Sequence, residues 1–224
     1  MSEFFAFSTT RGRKRKKQHA YVMHVVHVLV GYITFFVVCF SLTNSSNLED
    51  EEDNMAASKA GVELATFGAG CFWGTEKFFR KQFGANLISA LVGYMGGASK
   101  SSYEQVCTGT TNHAEVLQVS FQPDKVAYAD LVRFFFRMHD PTTLNRQGND
   151  RGTQYRSVIF THTKEQQKVA EQVRDEVQAS GKIKGQIVTQ IQPADGLQFF
   201  QGEPYHQRYL EENPNGYCNH KLYF

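Results

Sequence analysis

Between Val62 and Pro193 the chain passes repeatedly from strand-like to helix-like apolar spacing, and this alternation restricts the fold more than any other feature of the sequence. A two-residue period puts alternate side chains on opposite faces of a sheet, whereas a 3.6-residue period draws a stripe down a helix. Segments 62–68 (VELATFG), 87–94 (LISALVGY), 115–121 (EVLQVSF), 156–162 (RSVIFTH) and 185–193 (GQIVTQIQP) read as strands. In the third of these, Leu117, Val119 and Phe121 share one face with Glu115 by parity, and Gln118 and Ser120 take the other. Segments 75–83, 128–139 and 163–181 read as helices. The second helix carries Leu131, Phe134, Phe135 and Met138 in one stripe. The third opens with Thr163 and Gln166 in a capping-box pattern, aligns Val169, Val173 and Val177, and stops at Gly181. Such a pattern predicts an α/β or α+β sheet covered by helices.

At 224 residues the chain has room for one well-cored domain, residues 58–224, and an N-terminal appendage, residues 1–57. The formal net charge of +2 leaves no basic face of the kind nucleic-acid binding requires, so no nucleic-acid partner is expected. Four cysteines, Cys39, Cys71, Cys107 and Cys218, are too few and too scattered for a disulfide-stapled scaffold. None forms a CxxC pair, so no structural metal is expected; no cofactor is expected either.

The appendage begins with the basic run RGRKRKK (11–17), continues through residues 18–48 without an Asp, Glu, Lys or Arg, and ends in the acidic run EDEED (49–53). The apolar segment 21–42 is long enough to cross a bilayer at about 20 residues per span. Basic residues before it predict a cytoplasmic N-terminus and a domain facing a lumen or the outside. A cleaved signal segment is the second reading, with processing near Ser41 to Asn47. The third is a dispensable leader with a cytoplasmic form starting near Met55. Cys39 reads as a small apolar side chain within the stretch.

The stretch FGAGCFWGTEKFF (67–79) places Cys71 after a strand, on a Gly-Ala-Gly turn, at the mouth of a helix. Free amides and the positive end of the helix dipole favour a thiolate there, and the reading is an ionised, reactive sulfur. Glycines 68, 70 and 74 leave space for a ligand near the backbone. Phe72 and Trp73, the latter the only tryptophan, suit the wall of a pocket for a small apolar group such as a methyl.

These residues carry a resemblance. GAGCFWGTE (68–76), VGYMGG (92–97), TGTTNHAEVLQVSF (108–121), HDPTTLNRQGNDRGTQYRS (139–157), PYHQRYL (204–210) and NPNGYC (213–218) are similar, in this order, to the motifs of the A-type peptide methionine sulfoxide reductases. The resemblance implies an α+β fold, a two-layer α/β sandwich whose mixed sheet has a ferredoxin-like core. It implies reduction of methionine-S-sulfoxide, free or in oxidised proteins, with Cys71 as nucleophile and Glu115 as the acid. Tyr94 and Tyr155 would bond the departing oxygen, Asp150 would hold the network, and Phe72 and Trp73 would bind substrate. Attack leaves a sulfenic acid on Cys71, which condenses with a second thiol to a disulfide. Cys218, in a tail expected to be mobile, matches the resolving cysteine; Cys107 is the alternative. A thioredoxin-like dithiol would reopen the disulfide, and the enzyme is expected to act as a monomer. Two stretches depart from the family pattern: Asn112 stands where glycine is usual, and GEPYHQ (202–207) differs at Gly202 and Pro204.

Two rival functions remain open at this point. A Cys-His hydrolase would pair Cys71 with His113, His139 or His206, and needs an imidazole within hydrogen-bond reach of the sulfur. A membrane-anchored binding module would rest on the appendage alone and would not need Cys71.

Overall fold

The computed structural model describes residues 61–224. The basic run, the apolar segment 21–42, Cys39 and the acidic run all lie outside the described residues. Among the described residues no helix is long and apolar enough to cross a membrane.

Five of the strands and three of the helices form where the apolar periods predict them. β1 (Glu63–Ala69) runs into α1 (Phe72–Phe83), and β2 (Leu87–Met95) is followed by a short helix, α2 (Tyr103–Cys107). β3 (Ala114–Phe121) leads to α3 (Tyr128–Met138). A two-residue hairpin of β4 (Arg146–Gln147) and β5 (Asp150–Arg151) precedes β6 (Ser157–Thr161) and α4 (Lys164–Ala179). β7 (Gln190–Pro193), β8 (Phe200–Gln201) and α5 (Tyr209–Glu212) complete the chain.

The main sheet has the order β7-β6-β1-β3-β2-β8. Its centre, β6-β1-β3-β2, is antiparallel throughout, and with α1 and α3 as crossovers it is the β-α-β-β-α-β arrangement of a ferredoxin-like core. β7 joins β6 in parallel, which makes the sheet mixed.

One sheet face carries the main core. Phe67 stacks on Phe79 of α1 at 5.1 Å and on Phe135 of α3 at 5.5 Å, with no solvent exposure at any of the three. Each buried phenyl contributes about 1.5–3 kcal/mol. Leu131, Phe134, Phe135 and Met138 are all buried, as their spacing predicts. The opposite face buries Met95, Val116, Val158 and Phe160 beneath the 194–199 segment.

Some local details differ from the sequence reading. The last strand is shorter than 185–193, because Val188 donates to Pro141 O and Ile187 to the Gln178 side chain before the ladder with β6 begins. On α4, Thr163 Oγ1 accepts the Gln166 amide as a cap should, but the Gln166 side chain reaches back to His162 N and across to Leu64 O instead of to Thr163 N. Asn112 has φ +61, the left-handed region where glycine is favoured and asparagine tolerated, so this departure keeps the turn.

Candidate active site

Cys71 is the N-cap of α1, at the end of a turn that glycine alone permits. Gly70 has φ +92, and a Cβ there would lie 2.4 Å from Gln147 Cβ. A cysteine cap has no side-chain oxygen to satisfy the first amides of its helix, and none is satisfied that way here. Those amides turn to other acceptors. Phe72 N–H donates to Glu115 Oε2 at 3.0 Å, and the amides of Trp73 and Gly74 only favour the ionised form of the nearby sulfur.

Glu115 comes to this turn through sheet register. It is the second residue of β3, directly opposite Tyr94 on β2, and the two side chains share the face that carries α1. Burial, with the Phe72 amide opposing and the Asp150 charge assisting, pushes its carboxyl up to about 8. A carboxyl so placed is neutral and able to donate a proton at pH 7.

The sulfur departs from the sequence reading. Cys71 is only 9% exposed, and burial, then the Glu115 carboxylate, drives its thiol well above the usual range despite the amides of Trp73 and Gly74. Desolvation outweighs the helix end, so the resting group is a thiol and not the expected thiolate.

Around this pair the structure gathers most of the residues predicted from sequence. Tyr94 is buried and its hydroxyl donates to Glu203 Oε2 at 2.8 Å. Tyr155 ends the Thr153–Tyr155 3₁₀ turn; burial and then the Glu115 charge hold its hydroxyl protonated. Asp150 accepts from Asn219 Nδ2 at 2.8 Å; burial raises its carboxyl, and Asn219 and the Tyr217 hydroxyl oppose the rise. Phe72 packs 5.8 Å from the Tyr94 ring. Trp73 lies flat on Tyr209 at 3.9 Å and donates Nε1–H to His206 Nδ1 at 3.1 Å.

Cys218 is half-buried and unbonded to another cysteine, in a tail with firm attachments. Asn219 bonds Gln147 O as well as Asp150, and His220 Nε2 donates to Ala69 O at 2.8 Å. His220 fills the space at Gly74, where a Cβ would lie 2.1 Å from its Nδ1. Cys107 is exposed at the end of α2, within reach of the Tyr103 hydroxyl.

The histidines offered for a hydrolase are engaged elsewhere. His113 holds Gly97 N and Ser99 O, His139 holds Phe135 O and Ser157 Oγ, and His206 holds Trp73. That reading is therefore corrected: the titratable partner at the thiol turn is a carboxyl. Sequence reasoning missed Glu203, Asn219 and His220, each of which meets the site only through contacts about 70 to 150 positions away in sequence.

A carboxyl donor, a thiol and an aromatic wall at the end of a ferredoxin-like sheet define a thiol-based oxidoreductase, and comparison with known proteins places it. A model of the family "peptide methionine sulfoxide reductase" matches residues 63–223. A peptide methionine sulfoxide reductase MsrA of Methanothermobacter thermautotrophicus is 55% identical over 157 residues, covering 70% of this chain and 90% of that protein. The reduced form of Mxr1 from Saccharomyces cerevisiae superposes with a TM-score of 0.67 at 43% identity, over 73% of this chain and 93% of the other. Mxr1 in complex with Trx2 matches with a TM-score of 0.50 at 30% identity, over 73% and 91%. The chain belongs to the A-type peptide methionine sulfoxide reductases.

Proposed function

We propose that this enzyme reduces methionine-S-sulfoxide, free or within oxidised proteins, with Cys71 as nucleophile and Glu115 as general acid. The observation that carries the reading is the bond from Phe72 N–H to Glu115 Oε2, which ties the carboxyl to the thiol turn in a site that keeps the acid protonated.

The substrate's methyl group packs against Phe72 and Trp73, and its oxygen faces Glu115, Tyr94 and Tyr155. Cys71 sulfur attacks the sulfoxide sulfur and gives up its proton as it does so. Glu115 and the thiol together give two protons to the oxygen, which leaves as water while the bond between the Cys71 sulfur and the substrate sulfur forms. A water then attacks the Cys71 sulfur, displaces the thioether and returns a proton to Glu115, so that the net change is Cys–SH plus sulfoxide to Cys–SOH plus thioether. Keeping the thiol neutral until substrate arrives suits a site in which both partners are buried. The Cys218 thiol then attacks the sulfenic sulfur, forming the disulfide and releasing water. A thioredoxin-like dithiol reopens it by exchange, in keeping with the complex of the related Mxr1 with Trx2. Asp150, bonded to Asn219 beside Cys218, links the acid network to the tail.

The test is an assay with the two sulfur epimers of a methionine sulfoxide supplied separately with a dithiol reductant. Turnover of the S epimer alone, lost in Cys71→Ser, is expected; multiple turnover by Cys71→Ser would falsify the proposal.

A further inference from the structure

Glu203 takes no part in the chemistry above, yet three groups of the site converge on it. Its Oε2 accepts the Tyr94 hydroxyl at 2.8 Å, and its Oε1 accepts the Tyr103 amide at 3.1 Å. His206, three residues further along the Pro204–His206 3₁₀ turn, brings Nε2 to 3.8 Å from Oε2. The tautomer of that ring follows from its other bond. Because Trp73 Nε1–H donates to His206 Nδ1, the proton of the neutral imidazole sits on Nε2 and points toward Glu203. Among the described residues this buried Nε2 has no hydrogen-bond partner, so the carboxylate is the charge it faces, at an ion–dipole distance. Burial would raise the Glu203 carboxyl, but its own amide, the Tyr94 hydroxyl and the Tyr103 amide outweigh burial and keep it ionised.

We propose that Glu203 is a positioning residue: its carboxylate fixes the Tyr94 hydroxyl on one side of the pocket and, through His206, the Trp73 indole on the other. The inference deepens the sulfoxide-reductase reading and rests on it. Tyr94 and Trp73 flank the Phe72 ring, at 5.8 and 6.4 Å between centroids, so one side chain sets both the oxygen-facing and the methyl-facing walls. A phenol anchored in this way redirects its O–H from Glu203 to an incoming oxygen by rotation about its C–O bond, keeping its proton and without movement of the ring.

Glutamine cannot replace this carboxylate, because its amide has one acceptor where two donors, Tyr94 O–H and Tyr103 N–H, must be met. The test uses the full chain with E203Q and, as the milder change that retracts the charge by one methylene, E203D. Trp73 is the only tryptophan, so intrinsic emission reads this site alone. E203Q is expected to shift that emission and E203D to shift it less. E203Q should also lower kcat/KM about tenfold, mainly through KM, and in a Y94F background the further loss should shrink to about threefold or less. Unchanged emission in both variants, no loss of kcat/KM, or the same tenfold loss in both backgrounds would overturn the proposal. If E203Q does not fold, E203D carries both readouts. A wild-type chain without sulfoxide turnover would remove the functional reading and leave the emission to decide the link from Glu203 to Trp73.

Discussion

The amide of Phe72 donates to Glu115 Oε2 over 3.0 Å, so the residue that follows the thiol is bonded to a carboxyl 43 positions away. Helix start and strand start are thereby locked together, and the acid cannot drift from the sulfur without breaking a buried bond. That lock, and the burial around it, supports four predictions.

Glu115→Gln should separate catalysis from stability. Glutamine keeps an acceptor for the Phe72 amide but cannot ionise. The folded carboxyl sits at about 8 against an ordinary value of 4.5, so the wild-type fold is favoured most below 4.5 and loses stability as pH rises through about 8. The variant escapes that loss. Thermal melts at pH 5 and pH 8.5 should show E115Q gaining on wild type at the higher pH by a few kcal/mol or less. Its single-turnover rate should fall about 100-fold or more.

Cys218→Ser should yield one methionine per enzyme and then stop with a dithiol that needs the disulfide. Quenched-flow product counting against free-thiol titration measures this, and a Cys71 sulfenic acid captured by a dimedone-type reagent should persist. Continued turnover at the wild-type rate would point to Cys107 as resolver.

Gly74→Ala would put a Cβ 2.1 Å from His220 Nδ1, forcing the tail ring out of its buried seat. The expected cost is about 1–3 kcal/mol, read from denaturant midpoints. Adding His220→Ala to Gly74→Ala should add little further loss, because the clash is then gone; strict additivity of the two changes would mean that the residues do not meet.

Trp73→Phe removes both the Nε1–H bond to His206 and part of the 3.9 Å stack on Tyr209. KM for a methyl sulfoxide should rise about tenfold with kcat changing less, in steady-state assays, because a wall that binds substrate and transition state alike is being removed. Equal loss in both parameters would assign Trp73 to the chemical step.

How far the sequence reaches is visible in individual positions. Parity alone puts Glu115 on the face of Leu117 and Val119, and the ladder bears it out by pairing Glu115 with Tyr94. Apolar periods locate the core helices because burial of Phe79 and Phe135 dominates their energetics. The charge state of Cys71 was not legible: the helix end is local and visible, whereas the burial that overrides it comes from the assembled fold. Glu203 reads as one carboxylate in a turn-rich segment, and its importance arises only when folding brings Tyr94, Tyr103 and His206 to it. The tail looked mobile for its Asn-Pro-Asn-Gly turn, and nothing local announces that His220 replaces a missing methyl at Gly74. For the appendage, the expectations of an anchor, a signal or a leader concern residues 1–57 and are separate from the chemistry of the folded domain.

His220 is buried against the thiol turn, where it bonds Ala69 O, 151 positions earlier. A ribosome makes those two partners 151 residues apart. The nascent polypeptide therefore carries the redox turn without its buried histidine partner until residue 220 has been made.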